Sequence, residues 1–365
     1  MKRQRIDGID LLRGLAILLV LMNHVNMRLR GAKVPYTAGM SEQLVSSLVW
    51  NGQAGVQIFF AISGFLITST SLRRWGSLPK VSVRDFYWLR FARIAPLLLL
   101  LLATLSALHF AHVKNFVVQP KTGGLGQALF AALTFHVNVL EATRGYLPAN
   151  WDILWSLSVE EMFYLFFPLV CWTLGRSWGL IGFLLVFVVL GPFSRTVLSQ
   201  GNEVWREYSY LGGMDSIALG CLTALLVSAN SFSRRTLAEF GIAGMAILMG
   251  MLCFSLRIMN MTALALGTCM IIVAASQTRW ESPSFLTPVL KLGQGSYEVY
   301  LTHMFVIFAL FGLFLDLGKP MRGVPVLFVT VIVVAGLLGQ VVARFYSEPM
   351  NRFLRGLAHS ASKTA

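Results

Sequence analysis

The sequence predicts an all-α membrane protein, a polytopic bundle of about ten transmembrane helices. Three observations predict it. Of 365 residues, 56% are hydrophobic and only 13% charged, where a soluble enzyme carries about 25% charged residues. Mean hydropathy is +0.68. The apolar residues also gather into repeated runs of the length that crosses hydrocarbon as a helix, too many for one water-soluble core.

The first run, 11–30, begins in IDLLRGLAILLVLMNHV (9–25). It has no small-residue cleavage exit and holds the Arg13 and His24 pair, so it reads as a retained span rather than a signal peptide. Further spans follow at 48–71, 91–110, 154–174, 179–199, 208–229, 238–256, 262–277, 292–315 and 324–345. The stretch 124–141 is weaker, and charge decides its treatment. If it does not cross, cytoplasmic segments hold 19 of the 30 Lys and Arg residues and outside segments 11; if it crosses, the split is 16 to 14. The first assignment fits the positive-inside rule better. Segment 124–141 is therefore expected to be re-entrant, interfacial or packed inside the bundle, with both termini cytoplasmic. The tail from Arg352 is expected to fray. Net charge is +14, but most basic residues sit in short loops, where topology and anionic lipid headgroups explain them without a nucleic-acid partner. Cys171, Cys221, Cys253 and Cys269 fall inside apolar runs without metal-ligand spacing and read as small buried hydrophobes. No metal site is expected.

Intramembrane ionisable residues are the candidates for chemistry. Arg13 and His24 are eleven residues apart, three turns plus roughly 20°, so they share one helix face about 16 Å apart along the axis. With Arg13 at the inner interface, His24 falls near the midplane. A neutral imidazole there suits a general base; the alternative is a histidine that only joins helices. Asp10 lies one turn before Arg13 and is placed to orient it. Arg90 and Arg93, one turn apart, offer guanidinium forks that match phosphate oxygens; the alternative is positive-inside anchoring, which is preferred for Arg73 and Arg74. Glu160 and Glu161 are adjacent and so about 100° apart. One is expected to face a polar cavity, with preference for Glu160, and the other to pair with an arginine. Trp155 reads as an aromatic-belt residue, although a sugar-stacking role with Tyr164 remains open. His303 is a second deep histidine with Tyr300 one turn below; it is either a partner in the site or a packing residue. Asp215 and Glu298 are further intramembrane acids. Ser63-Gly64 reads as small-residue packing, and His109, His112, His136 and His359 fall at span edges or in the tail.

Several blocks occur in one order along nearly the whole chain: the Arg13–His24 span, GVQIFFAISGFLI (55–67), Arg90 and Arg93 in LRFARIAP, WSLSVEEMFYLFFPL (155–169), YEVYLTH (297–303) and SEP (347–349). In this order they resemble the type 3 membrane acyltransferase family. Gln57 stands where that family usually has an acid, and Met162 where it usually has glutamine. The esterase-like periplasmic domain of some members is not expected here. The resemblance implies an inner-membrane enzyme that moves an acyl group, usually acetyl from acetyl-CoA, onto hydroxyls of surface or lipid-linked glycans. It favours Arg90 and Arg93 as a clamp for CoA phosphates and His24 as the base; Arg13 is read as reaching a donor phosphate or carbonyl, with Asp10 positioning it.

The expected organisation is an acyltransferase domain over 1–350 and a basic cytoplasmic tail over 351–365, in the inner membrane of a bacterium. The expected activity is O-acyl transfer from cytoplasmic acyl-CoA to a glycan hydroxyl. Catalysis is assigned to His24, Arg13 and Glu160 and donor binding to Arg90, Arg93 and Arg13. Asp10, Glu161, Tyr300 and His303 are further candidates. The partners are acyl-CoA, the glycan and the bilayer, with no permanently bound cofactor. The alternative is a transporter of a lipid-linked sugar, which paired repeats of broken helices would favour; no such repeat is evident.

Overall fold

The computed structural model describes residues 6–175, 178–253, 261–278 and 280–361, with side chains to 357. The helices run α1 (Asp7–Gly31), α2 (Glu42–Val49), α3 (Gly52–Trp75), α4 (Val83–Phe110), α5 (Gly124–Leu133), α6 (Val137–Arg144), α7 (Leu154–Leu174) and α8 (Trp178–Phe193). They continue α9 (Glu203–Tyr208), α10 (Tyr210–Ala229), α11 (Arg234–Cys253), α12 (Met261–Gln277), α13 (Thr287–Gln294), α14 (Ser296–Asp316), α15 (Val324–Val342) and α16 (Glu348–Ala361). No strand occurs among the described residues. A helix satisfies its own backbone polar groups, which is what an apolar chain in hydrocarbon requires.

Among the described residues nine stretches are long and apolar enough to cross a membrane, and α12 is a shorter apolar helix of 17 residues. These ten correspond to the ten runs expected from sequence. Residues 254–256 of the seventh run lie outside the described residues, as do Lys2, Arg3, Arg5, Arg176, Arg257, Arg279 and Lys363 of the charge count. Two contacts bring both termini to one face. Ser282 N donates to Asp7 Oδ2 at 2.9 Å, and Trp88 Nε1, near the start of α4, donates to Leu354 O of α16 at 3.0 Å. This is called the terminal face below.

Segment 124–141 forms two short helices rather than a span. α5 and α6 have 10 and 8 residues, about 15 and 12 Å of rise, and the chain turns between them at Phe135, φ 57°. α6 buries Val137, Asn138, Leu140 and Glu141. Ser158 Oγ accepts from Val137 N at 3.2 Å, and Asn138 donates to Tyr208 O at 3.1 Å, so α6 is packed against α7 and α9. The tail from Arg352 is not frayed over its described part: it completes α16, held by Trp88.

Close helix approach rests on small residues, as between membrane helices generally. At Gly64 a Cβ would strike the Ile217 carbonyl, and at Gly220 the Ala61 carbonyl, so α3 and α10 meet backbone to backbone. Gly14 and Gly293 do the same for α1 and α13. Ser63-Gly64 is therefore a packing element, as the sequence indicated, but its serine has a second use described below. Trp155 departs from the belt expectation. It is 5% exposed and stacks on Tyr208 with centroids 4.0 Å apart. α7 begins inside the protein, behind the buried Trp151 and Ile153, so its first turn is not at an interface.

Candidate active site

The polar residues of the bundle form two clusters at different heights on α1. The one nearer the terminal face surrounds Arg13, whose guanidinium is 3.8 Å from Asp10. Arg90 lies 2.5 Å from Glu161 and 3.8 Å from Glu160, with its guanidinium carbon 3.7 Å from the Tyr164 ring centre. Glu160 accepts from Ser63 Oγ at 2.5 Å and from Tyr164 at 2.7 Å. Arg93 pairs with Glu298 at 3.2 Å and lies over Tyr297 at 5.2 Å. The charges acting on Arg13 include Arg93, Glu298 and Glu160 as well as Asp10.

Helix geometry distributes these pairs. Arg90 and Arg93 occupy one face of α4, yet the first reaches α7 and the second α14. Glu160 and Glu161 diverge by about 100°, so one turns to α3 and the other to α4. Three guanidinium groups therefore face four carboxyl groups, those of Asp10, Glu160, Glu161 and Glu298. Charges this deep are expensive unless paired, and Arg90 and Arg93 are paired here.

The second cluster is centred on two histidines. His24 Nδ1 is 2.9 Å from His303 Nε2, and His303 Nδ1 is 2.6 Å from the carbonyl of Tyr300. A carbonyl only accepts, so His303 Nδ1 carries the proton. In a neutral His303, Nε2 then accepts, and His24 Nδ1–H must donate to it. That leaves His24 Nε2 with a lone pair and no described protein partner. The rings are 5.0 Å apart and inclined by 27°. His303 is fully buried, while His24 is half-buried. Tyr300 is held by its hydroxyl, 2.7 Å from Ser156 Oγ and 3.1 Å from Ile153 O, and Asn150 Nδ2 donates to Leu301 O at 2.8 Å. The bend at 149–153 thus clamps α14 at the level of its histidine.

Beyond His24, away from the terminal face, α1 carries Arg28, its guanidinium carbon 4.8 Å from the Phe308 ring centre. The charge of Asp152 acts on Arg28 and on Glu141 and Tyr208. Glu141 Oε1 accepts from Leu147 N at 3.0 Å. Burial and the neighbouring Asp152 charge push the Glu141 carboxyl well above the usual carboxylate range. Tyr208, on which Asp152 and Glu141 also act, stacks on Trp155 beside this group.

Of the residues singled out from sequence, the structure gathers Asp10, Arg13, Arg90, Arg93, Glu160 and Glu161 into the first cluster and His24, Tyr300 and His303 into the second. The shared face of Arg13 and His24 does not bring them together; about 16 Å of helix separates them. Glu160, preferred for a polar cavity, sits near Arg90 together with Glu161, the one expected to pair with an arginine. Asp215 belongs elsewhere, bound by the buried Arg195 at 2.7 Å and by Thr262. Glu298 does join the first cluster. Sequence reasoning passed over Arg28, Asp152, Glu141 and Arg195. For Arg28 the signal was present, since it stands one turn beyond His24 on the same face.

A family model described as an acyltransferase domain matches residues 6–344. The O-acetyltransferase OatA of Staphylococcus aureus (strain NCTC 8325 / PS 47) is 22% identical over 95% of this chain and 57% of its own length. The peptidoglycan O-acetyltransferase OatA of Listeria monocytogenes serovar 1/2a (strain ATCC BAA-679 / EGD-e) is 25% identical over 84% of this chain and 50% of its own length. The chain thus spans about half the length of these curated relatives. No solved structure matches it.

Proposed function

This chain belongs to the acyltransferase-domain family, and we propose on that premise that it is an integral-membrane O-acyltransferase. In this reading it moves an acyl group, most simply acetyl, from acyl-CoA to a hydroxyl of a surface or lipid-linked glycan. The observation that carries the reading is the His24–His303 pair, with its one uncommitted imidazole nitrogen inside a membrane bundle. Relatives named for O-acetylation, one of them of peptidoglycan, support the acyl group and the acceptor class.

The chemistry follows from the tautomer. His24 Nε2 takes the proton of the acceptor hydroxyl as its oxygen attacks the thioester carbonyl. The imidazolium that forms is held by His303, whose Nε2 accepts from His24 Nδ1–H, while the Tyr300 carbonyl fixes the far nitrogen. Collapse of the tetrahedral intermediate breaks the C–S bond. The CoA thiolate leaves and receives the proton, so ester and thiol are the products and no proton is gained or lost. His24 is the catalytic residue and His303 a positioning residue.

The donor enters from the terminal face, which is cytoplasmic in this reading. Exposed Arg73, Arg74, Lys80 and Arg84 make that face attractive to a polyanion, and Arg90 and Arg93 stand next inside. CoA phosphates remain near these hydrated charges, because burying them further costs on the order of several kcal/mol each even when paired. Arg90 and Arg93 are already committed to carboxylates, so phosphate binding there requires each guanidinium to share or exchange its partner. The glycan arrives at the opposite mouth, beside Arg28 and Asp152.

The test is acyl transfer by purified protein in nanodiscs, with radiolabelled acetyl-CoA and a glycan acceptor. The expected result is label in the glycan with wild type and its loss in His24→Ala. Label transfer by His24→Ala at the wild-type rate, or none by wild type, overturns the reading.

A further inference from the structure

Arg28 is a half-buried cation that no carboxylate holds. Among the described residues its guanidinium makes no hydrogen bond, and no acidic oxygen lies within 4 Å of it. Its Nε is buried without a partner. It differs in this from Arg90, Arg93 and Arg195, each locked to an acid. Phe308 supplies a ring face at 4.8 Å, and Asp152 acts on Arg28 through its charge without an ion pair within 4 Å. Arginine is rarely buried unless paired, so the five N–H donors of Arg28 are a recognition surface without a ligand.

Its position names the ligand. Arg28 is one turn from His24 on the same face of α1, about 6 Å along the axis. A hydroxyl on His24 Nε2 and an anionic group on Arg28 would be separated by about that distance, roughly the width of a sugar ring. Exposed Arg30 and Lys33 at the same helix end, and Lys319, whose Nζ donates to Ala32 O at 3.2 Å, add positive charge around this end of α1.

We propose that Arg28 is an acceptor-specificity residue, binding a carboxylate or phosphate carried by the glycan next to the hydroxyl that is acylated. The inference rests on the acyl-transfer reading, but its test separates the two. Binding is measured without donor, on His24→Ala protein in nanodiscs. The probes are a hexuronic-acid oligosaccharide, its carboxyl-reduced counterpart and a counterpart phosphorylated at the same carbon.

A charge-assisted guanidinium contact predicts that an anionic probe binds about 10- to 100-fold tighter than the neutral one. Arg28→Gln added to His24→Ala should remove that preference, and Arg28→Lys should restore part of it. Preference for the carboxylate probe or for the phosphate probe identifies which anion the acceptor carries. Equal binding of all three probes, or a preference that survives Arg28→Gln, overturns the proposal. Because the background is already catalytically disabled, a negative result here leaves the acyl-transfer test independent.

Discussion

His24 and His303, 279 residues apart in the chain, are joined by a 2.9 Å hydrogen bond, and that bond decides which nitrogen of His24 is free. If His303 works by holding the tautomer, its loss should slow turnover without affecting acceptor binding. His303→Ala is expected to lower kcat by about 10- to 100-fold, the usual effect of removing a partner that orients a functional imidazole. His303→Gln, which retains an acceptor for His24 Nδ1–H, should recover part of the rate. Steady-state kinetics in nanodiscs check this; an unchanged kcat in His303→Ala would show that the pair is only a packing contact.

Removal of His24 itself should be more severe. His24→Ala should lose about 10²–10⁴-fold in turnover, the range of a positioned general base, with normal membrane insertion. Radiolabel transfer at matched protein level is the measurement.

Arg90 and Glu161 should depend on one another. Neutralising either partner leaves a buried charge uncompensated, at a cost of about 3 kcal/mol. Arg90→Gln and Glu161→Gln should each lower the thermal midpoint of the purified protein by several degrees. The double variant should be more stable than the sum of the two losses implies. Strict additivity in that double-mutant cycle would refute the coupling.

Glu141 should give stability a pH dependence. Its folded carboxyl binds the proton more tightly than the unfolded one, for which the pKa is about 4.3. The contribution is therefore complete below that value and is lost as pH rises through the raised folded pKa. The thermal midpoint of wild type should fall over that window, and Glu141→Gln, which cannot ionise, should show a shallower fall. Parallel pH profiles for the two proteins would remove Glu141 as the cause.

Topology is open to reporter fusions. Fusions after Arg235 and after the C-terminus should report cytoplasm, and fusions after Lys114 and Arg144 the outside. The opposite pattern at all four sites would invert the proposed entry faces of donor and acceptor.

Much of this protein is legible in its sequence because hydrocarbon imposes a simple rule. An apolar run of sufficient length must be a helix that satisfies its own backbone, so the ten runs and their order follow from hydropathy. The common face of Arg13 and His24 follows from the 3.6-residue turn alone, as does the divergence of Glu160 and Glu161. Hydropathy does not set how each helix is rotated or at what height it meets its neighbours; packing does. Glycine contacts such as Gly64 on Ile217 and Gly14 on Val289 set that packing. It places Glu160 among the arginines rather than beside His24, turns Trp155 inward onto Tyr208, and carries His303 to within a hydrogen bond of His24. It also leaves Arg28 without an acid while giving one to Arg90, Arg93 and Arg195. Those pairings are contacts between helices, so only the tertiary structure decides them.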